Sequence, residues 1–284
     1  MILVTGATGS VGSEVLRLLV ARHVSVRAMV RDVKKAETAR LPGVEIVQGD
    51  FDRPETLRDA LDGVESAFLL TNSTERAEVQ QTAFVEAARA SGLAHLVKLS
   101  QLHADANSQV RFLRYHAVVE DTIKAAGLTY TFLRPNLFMQ GLLNFAPTIK
   151  EKGAFFAAAG NAKVSMIDVR DIAAVAVAAL TEGRHDNKTY NLTGPQALSH
   201  AQAAQMLGQA VGRTITFTDV PPEAMKQAVL QLGMPLWQAD GLLEDYAHYR
   251  RGEAEAIASG VQDATGNAPR SFDDFARDFA SSFS

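Results

Sequence analysis

The chain has 284 residues, of which 47% are hydrophobic and 21% are charged, a composition typical of a globular protein with one large domain or two smaller ones. Its formal net charge of -4 offers no basic field, so we expect no nucleic-acid partner. The absence of cysteine excludes disulfides, thiolate nucleophiles and cysteine-ligated metals.

Short apolar runs alternate with longer amphipathic segments through the first half of the chain. The predicted strands are Ile2–Val4, Val24–Val30, Val44–Val47, Ala67–Leu70, Leu96–Leu99 and Tyr130–Leu133. The predicted helices include Val11–Ala21, Val79–Ala90 and Val110–Ala126, and Asp52 with Glu55 around Pro54 predicts a further, capped helix start. Helices between buried strands imply right-handed crossovers, so the pattern predicts an α/β fold with a Rossmann-like, doubly wound parallel sheet.

After Pro135 this alternation loosens. Val164–Ile167 and Thr189–Leu192 are predicted strands on either side of the helix Val169–Leu180, and the residues after Ser199 are mostly helical in pattern, with one strand at Thr214–Thr218. We therefore expect residues 1–135 to form the Rossmann domain, with residues 163–193 returning to its sheet. Residues 136–162 and 194–284 are predicted to form a smaller C-terminal α/β subdomain that binds the substrate.

A glycine-rich turn follows the first predicted strand and opens directly into a helix. Gly6 permits the tight turn, Gly9 lets backbone N–H groups approach a pyrophosphate, and Gly12 allows the helix to lie close to the strand. The anion would then sit at the positive end of the helix dipole. The predicted cofactor contacts in this turn are Gly6, Thr8, Gly9, Ser10, Val11 and Gly12.

The G-x-x-G-x-x-G spacing resembles the short-chain dehydrogenase/reductase superfamily, specifically its atypical NmrA-like branch. The likeness runs nearly end to end. It includes Val30-Arg31-Asp32, Gly49-Asp50-Phe51, Leu133-Arg134-Pro135-Asn136, Asp168-Val169-Arg170-Asp171-Ile172-Ala173 and Thr189-Tyr190-Asn191-Leu192-Thr193-Gly194. Within that branch the chain resembles the type 2 quinone oxidoreductases and the triphenylmethane dye reductases. The resemblance implies an NAD(P)H-dependent oxidoreductase.

The end of the second strand predicts which dinucleotide is bound. An arginine there favours the 2′-phosphate of NADP, whereas an acidic residue favours the ribose of NAD. The residue is Arg31, and Lys35 adds positive charge, while the neighbouring Asp32 is interpreted as a helix cap. We therefore expect NADP(H) in preference to NAD(H).

Further site residues are expected where the other strands end, because ligands bind at the carboxyl ends of parallel strands. The resemblance places Asp50 and Phe51 at the adenine, and the loops after strands four and six around the nicotinamide half. The remaining predicted cofactor contacts are Thr71, Asn72, Ser100, Pro135 and Asn136.

The helix after strand five departs from the superfamily pattern. Typical members carry Tyr-x-x-x-Lys there, and the lysine lowers the pKa of a proton-donating tyrosine, but here Val119 stands four residues after Tyr115. His116 and Glu120 are spaced four apart in the neighbouring register. We interpret them as the catalytic pair, in which the carboxylate raises the pKa of the imidazole.

The missing tyrosine–lysine pair favours acceptors that spread charge over a conjugated system, such as quinones, dyes and enones. The candidate pocket walls are Phe138, Met139, Phe145 and Trp237. One alternative is a non-catalytic NADP(H)-sensing regulatory protein, which would keep the same glycine turn. Another, disfavoured by the missing pair, is a sugar-nucleotide epimerase or dehydratase.

No metal is expected, since the histidines form no metal-ligand spacing. The N-terminus has no basic leader, and the longest apolar run, Ile172 to Leu180, is far below the roughly 20 residues that span a bilayer. We therefore expect a cytoplasmic monomer or homodimer with no membrane partner, acting on a small-molecule electron acceptor.

Overall fold

A computed structural model describes all 284 residues. Its strands are β1 (Ile2–Val4), β2 (Val26–Val30), β3 (Val44–Gln48), β4 (Ser66–Leu69), β5 (His95–Leu99), β6 (Thr129–Pro135), β7 (Ala154–Ala157), β8 (Lys163–Val164), β9 (Lys188–Leu192), β10 (Leu198–Ser199) and β11 (Thr216–Asp219). Its helices are α1 (Ser10–Ala21), α2 (Glu55–Leu61), α3 (Ala77–Ala90), α4 (Arg111–Ala125), α5 (Ala146–Lys152), α6 (Val169–Thr181), α7 (His200–Val211), α8 (Pro222–Gln231), α9 (Leu236–Arg250), α10 (Gly260–Thr265), α11 (Phe272–Asp278) and α12 (Ala280–Phe283). No helix combines the length and the apolarity that a transmembrane span requires.

Seven strands form one sheet in the order β3-β2-β1-β4-β5-β6-β9, and every neighbouring pair is parallel. The predicted α/β fold with a doubly wound parallel sheet is confirmed. The strand order reverses between β1 and β4, which lie side by side at the centre of the sheet. This switch point is where open α/β sheets bind their ligands.

Helices cover both faces of the sheet, and the sequence of β1 shows why. Side chains alternate along a strand, so Ile2 and Val4 join the apolar cluster under α1 and α6, while Leu3 joins the cluster that includes α2, α3 and α4. A strand buried on both faces has to be apolar throughout. This requirement accounts for the Ile-Leu-Val run that precedes the glycine turn.

The second half of the chain builds a separate apolar cluster from β7, α7, α9, α11 and their neighbours. Within it, β7 pairs with β11 and β8 pairs with β10. The predicted strand Val164–Ile167 is wrong beyond Val164, because Ser165 bonds to the Ala254 carbonyl and the chain then leads into α6. Of the segment predicted to return to the main sheet, α6 packs on α1 and β9 pairs with β6. The division into two domains stays a prediction.

The start of α2 also differs from the prediction. The helix begins at Glu55 with Pro54 as its N-cap, and no side chain caps it. The carboxylate of Asp52 instead accepts a hydrogen bond from Gln80, while its backbone N–H donates to Asp50 Oδ1 at 3.0 Å. One carboxylate oxygen of Asp50 is therefore already engaged.

Candidate active site

A cleft of about 770 Å³ follows the carboxyl ends of the strands and spans the switch point. It collects most of the residues that the sequence analysis assigned to cofactor and substrate. Those that line it are Gly6, Thr8, Gly9, Ser10, Val11, Arg31, Asp50, Phe51, Thr71, Asn72, Ser100, His116, Pro135, Asn136 and Phe138. Those that do not are Gly12, Lys35, Glu120, Met139, Phe145 and Trp237.

The turn after β1 presents an anion-binding surface. Gly6 has a φ of +59°, a conformation that favours glycine, and it lets the chain reverse into α1. Gly9 is the N-cap of α1 and no side chain caps the helix, so the first N–H groups have no side-chain partner and open on the cleft. A Cβ at position 9 would meet only the Gly6 carbonyl oxygen, at 3.4 Å. These features fit a dinucleotide pyrophosphate at the positive end of α1.

Gly12 lies on the other side of this turn, against backbone. A Cβ there would overlap the Gly6 carbonyl oxygen and lie 2.7 Å from its carbon. Gly12 therefore permits the close packing of α1 on the turn and does not line the cleft.

Arg31 is exposed at the end of β2 and lines the cleft. Its guanidinium has no partner within the chain, and only its carbonyl is engaged, by Gln48. The neighbouring Asp32 accepts from the backbone N–H of Lys34 at 2.9 Å and caps a short 3-10 helix at Val33–Lys35, as predicted. Arg31 is thus free to meet an anionic group, whereas Lys35 does not line the cleft.

The predicted pairing of His116 with Glu120 is wrong, although both side chains are buried on α4. Arg134 of β6 donates two hydrogen bonds to the Glu120 carboxylate, and Ser100 donates a third at 2.5 Å. His116 instead meets Lys98 of β5, whose Nζ lies 2.8 Å from its Nδ1. Glu120 pairs with Arg134 and not with His116, because the planar guanidinium donates two hydrogen bonds to the carboxylate.

The electrostatics of this cluster reverse the predicted effect on the imidazole. Burial, followed by the positive charges of Lys98 and Arg134, holds the pKa of His116 well below its usual range. His116 is therefore neutral at neutral pH. Burial also lowers the pKa of Lys98 to about 7, against the opposing charge of Glu120.

Lys98 was missed by the sequence analysis, although a signal for it exists. A charged residue inside the apolar run Leu96–Leu99, on a strand buried on both faces, needs a partner in the interior. Its Nζ also donates to the Leu99 carbonyl at 3.0 Å, and an ammonium can only donate. While Lys98 is protonated, the His116 Nδ1 therefore accepts, which leaves the ring proton on Nε2.

Tyr115 lies beside His116, with ring centroids 4.2 Å apart, and its hydroxyl is 2.9 Å from the Ser73 hydroxyl. Both residues line the cleft. Burial raises the pKa of Tyr115, so it is a weaker acid than a free tyrosine. The lysine that approaches this helix comes from β5, not from the position four residues later.

The end of the cleft nearest α4 and α9 has an aromatic and apolar wall. It is formed by Phe112, Leu137, Phe138, Met234, Leu242 and Tyr249. Three of the predicted wall residues lie elsewhere. Met139 is buried in the second cluster. Phe145 packs on Phe155 with ring centroids 5.6 Å apart, and Trp237 packs on Phe112, tilted by 55°, with ring centroids 5.4 Å apart. Met139 and Phe145 therefore pack in the second apolar cluster, and Trp237 supports Phe112 from outside the cleft.

One carboxyl group faces this apolar end. Asp245 of α9 is 7% exposed and lines the cleft. Its oxygens lie 3.0 and 3.3 Å from Nε2 of Gln101, in the loop after β5, and no cation pairs with it. Burial raises the pKa of Asp245 from 3.8 to about 7. No sequence pattern on α9 marked this residue.

The bare N-terminus of α1, the glycine turn and the unpaired arginine after β2 define a Rossmann-type dinucleotide-binding protein. The pattern of the NmrA-like family matches residues 1–275, so the chain belongs to the NmrA-like family and the predicted membership is confirmed.

The chain is similar along its whole length to an oxidoreductase and to two solved structures. It is 40% identical over 283 residues to the NAD(P)H azoreductase of Xenophilus azovorans, covering 100% of this chain and 99% of the relative. The NADPH complex of the Escherichia coli quinone oxidoreductase QOR2 has a TM-score of 0.88 and 28% identity, covering 98% and 99% of the two chains. The NADP(H) complex of the Citrobacter sp. triphenylmethane reductase has a TM-score of 0.86 and 29% identity, covering 99% and 100%.

Proposed function

We propose that this chain is an NADPH-dependent reductase of conjugated small molecules such as quinones, azo compounds, dyes or enones. The broader class to which this proposal belongs is that of its relatives, the NAD(P)H-dependent oxidoreductases of the NmrA-like family. One observation supports the proposal that the acceptor is a conjugated molecule. A single cleft joins the glycine turn and the unpaired Arg31 to an aromatic wall at its other end.

The residues present fit NADP(H). Backbone N–H groups at Ser10 and Val11 would hold the pyrophosphate, and Arg31 the 2′-phosphate. Further along the cleft, the residues proposed to hold the adenine and the nicotinamide half are Asp50, Phe51, Thr71, Asn72, Pro135 and Asn136. When bound, the reduced nicotinamide supplies a hydride.

The residues of α4 are proposed to position the ligands. His116, neutral and held through Nδ1 by the protonated form of Lys98, presents an N–H at Nε2 that donates a hydrogen bond to a ligand in the cleft. Glu120 lies behind the cleft wall and fixes Ser100, which lines it. Neither replaces the proton-donating tyrosine of typical superfamily members, which favours an acceptor whose conjugation spreads the developing charge.

An anaerobic assay of NADPH oxidation tests this function. The panel contains a quinone, an azo compound, a cationic triphenylmethane dye and, as a matched control, a simple unconjugated ketone. We expect turnover of the conjugated acceptors and none of the ketone. Tight NADPH binding with no oxidation by any acceptor would overturn the reductase proposal and support a non-catalytic sensor, which needs only a partner with different affinities for the loaded and empty forms.

A further inference from the structure

We propose that Asp245 is the catalytic acid of this reductase and delivers the proton that accompanies the hydride to the acceptor. The assignment rests on the reductase function proposed above. It places the proton donor on α9, a helix from the second half of the chain, and not on the helix that follows β5.

Position is the first support for this assignment. Three carboxyl groups line the cleft, and two of them, Asp50 and Asp52, follow β3 at the edge of the sheet. Asp245 alone stands at the aromatic end, where Tyr249, one turn further along α9, also lines the wall. A substrate that stacks on this wall has one carboxyl group within reach.

The surroundings of Asp245 favour its neutral form. Gln101 supplies its only hydrogen bonds, and Arg111 of α4, which packs against α9, is paired with Glu244 at 2.6 Å. The titratable groups that face it are Tyr115 from α4 and Glu244, Tyr246 and Tyr249 from α9. None of them is a cation. Burial therefore raises the pKa of Asp245 to about 7, and only the hydrogen bond from the Gln101 amide acts in the opposite direction.

The other polar groups at this end are poorer proton donors. His116 is neutral at neutral pH, since its pKa lies well below the usual range, and burial has raised the pKa of Tyr115. A general acid works best when its pKa is near the working pH. Asp245 meets that condition and lies in the cleft.

The proposed step balances in atoms and electrons. The acceptor gains a hydride from the bound dinucleotide, and the O–H bond of Asp245 breaks. The proton forms an N–H bond on an azo compound, an O–H bond on a quinone or a C–H bond on an enone. The carboxylate then regains a proton from solvent, to which it is 7% exposed. One hydride and one proton complete a two-electron reduction.

Acceptors that need a proton can be compared with one that does not. Hydride addition to the central carbon of a cationic triphenylmethane dye gives a neutral product without any proton. We expect Asp245→Asn to lower kcat for an azo compound or a quinone by about 10²- to 10⁴-fold, and kcat for the cationic dye by no more than about threefold. Glu244→Gln is the matched control, a neighbouring carboxylate that does not line the cleft, and it should leave the ratio of the two rates unchanged.

An infrared titration of the protein without cofactor gives a readout that does not depend on turnover. The band of a protonated carboxyl should fade as the pH rises through about 7 in wild type and should be missing from Asp245→Asn.

Several outcomes would overturn the assignment. Equal loss for both acceptors would make Asp245 structural, and selective loss of the cationic dye through a higher KM would make it a counter-ion. An unchanged variant would remove it from the reaction. A wild type that reduces no acceptor overturns the proposed function, whereas an active wild type with an unselective variant overturns the role of Asp245 alone.

Discussion

The same substitution at two glycines of the turn after β1 should have different effects: serine at position 12 should lower the Tm, and serine at position 9 should weaken NADPH binding. At position 12 an added Cβ would lie 2.7 Å from the Gly6 carbonyl carbon and 3.0 Å from Ala7 Cα, so the backbone has to move. Overpacking of this kind costs about 1–3 kcal/mol, and each kcal/mol lowers the Tm of a chain of this size by about 2–4 °C. We therefore expect Gly12→Ser to melt about 2–12 °C below wild type.

At position 9 the added Cβ meets one atom at an ordinary contact distance, and serine is a good N-cap. Gly9→Ser should keep the Tm of wild type, but its hydroxyl would occupy an N–H group that the pyrophosphate needs. Losing a charge-assisted hydrogen bond of about 1.5–3 kcal/mol weakens NADPH binding by roughly 10- to 150-fold.

Calorimetric melting of the protein without cofactor and titration with NADPH separate the two effects. Gly183→Ser is the control, because an added Cβ there meets no atom within 4 Å, and it should change neither quantity. Wild-type NADPH affinity in Gly9→Ser, or a parallel loss of Tm in both turn variants, would refute the geometry of the turn.

Three further predictions concern charged groups. Arg31→Ala should weaken NADPH binding by roughly 1–3 kcal/mol in calorimetric titration and leave NADH nearly unchanged, so equal losses would count against it. Lys98→Met removes a positive charge that lowers the pKa of His116, so the midpoint of the ring titration in NMR should rise; an unmoved midpoint would contradict the contact. For Asp245 the folded pKa of about 7 exceeds the unfolded 3.8, so its contribution to stability is fully present below about pH 4 and is lost as pH rises through about 7. In urea unfolding, the free energy of unfolding of Asp245→Asn should therefore rise relative to that of wild type as the pH rises, by at most about 4 kcal/mol. A relative fall with rising pH would exclude the raised pKa of Asp245.

The sheet and one end of the cleft were predictable because their signals are local. The glycine turn at residues 5–12 stands directly between a strand and a helix, and Arg31 is the residue that follows the second strand. Parallel strands bring their carboxyl ends to one edge, so a correct reading of the strands also places the residues that follow them.

The partners of the buried charges were not predictable from spacing. The four-residue interval on α4 predicted that Glu120 would contact His116. Instead, Arg134 on β6 binds the Glu120 carboxylate, and Lys98 on β5 binds the His116 imidazole. These contacts depend on which strands are neighbours in the sheet.

The position of Asp245 in the cleft was even harder to predict from the sequence. Its partner Gln101 lies 144 residues away in the chain, and α9 has no strong apolar face to show which of its side chains turn inward. Only the three-dimensional arrangement brings this carboxyl group to the cleft.

Direct transfer of the hydride tests the central claim, that this chain reduces conjugated acceptors with NADPH. Wild-type protein is incubated anaerobically with a cationic triphenylmethane dye and NADPH carrying deuterium on either face of the nicotinamide C4, and the reduced dye is analysed by mass spectrometry. We expect deuterium at the central carbon of the product from one of the two labelled cofactors and none from the other. Reduced dye without deuterium from either cofactor, or no oxidation of NADPH by this dye or by any other conjugated acceptor, would contradict the account.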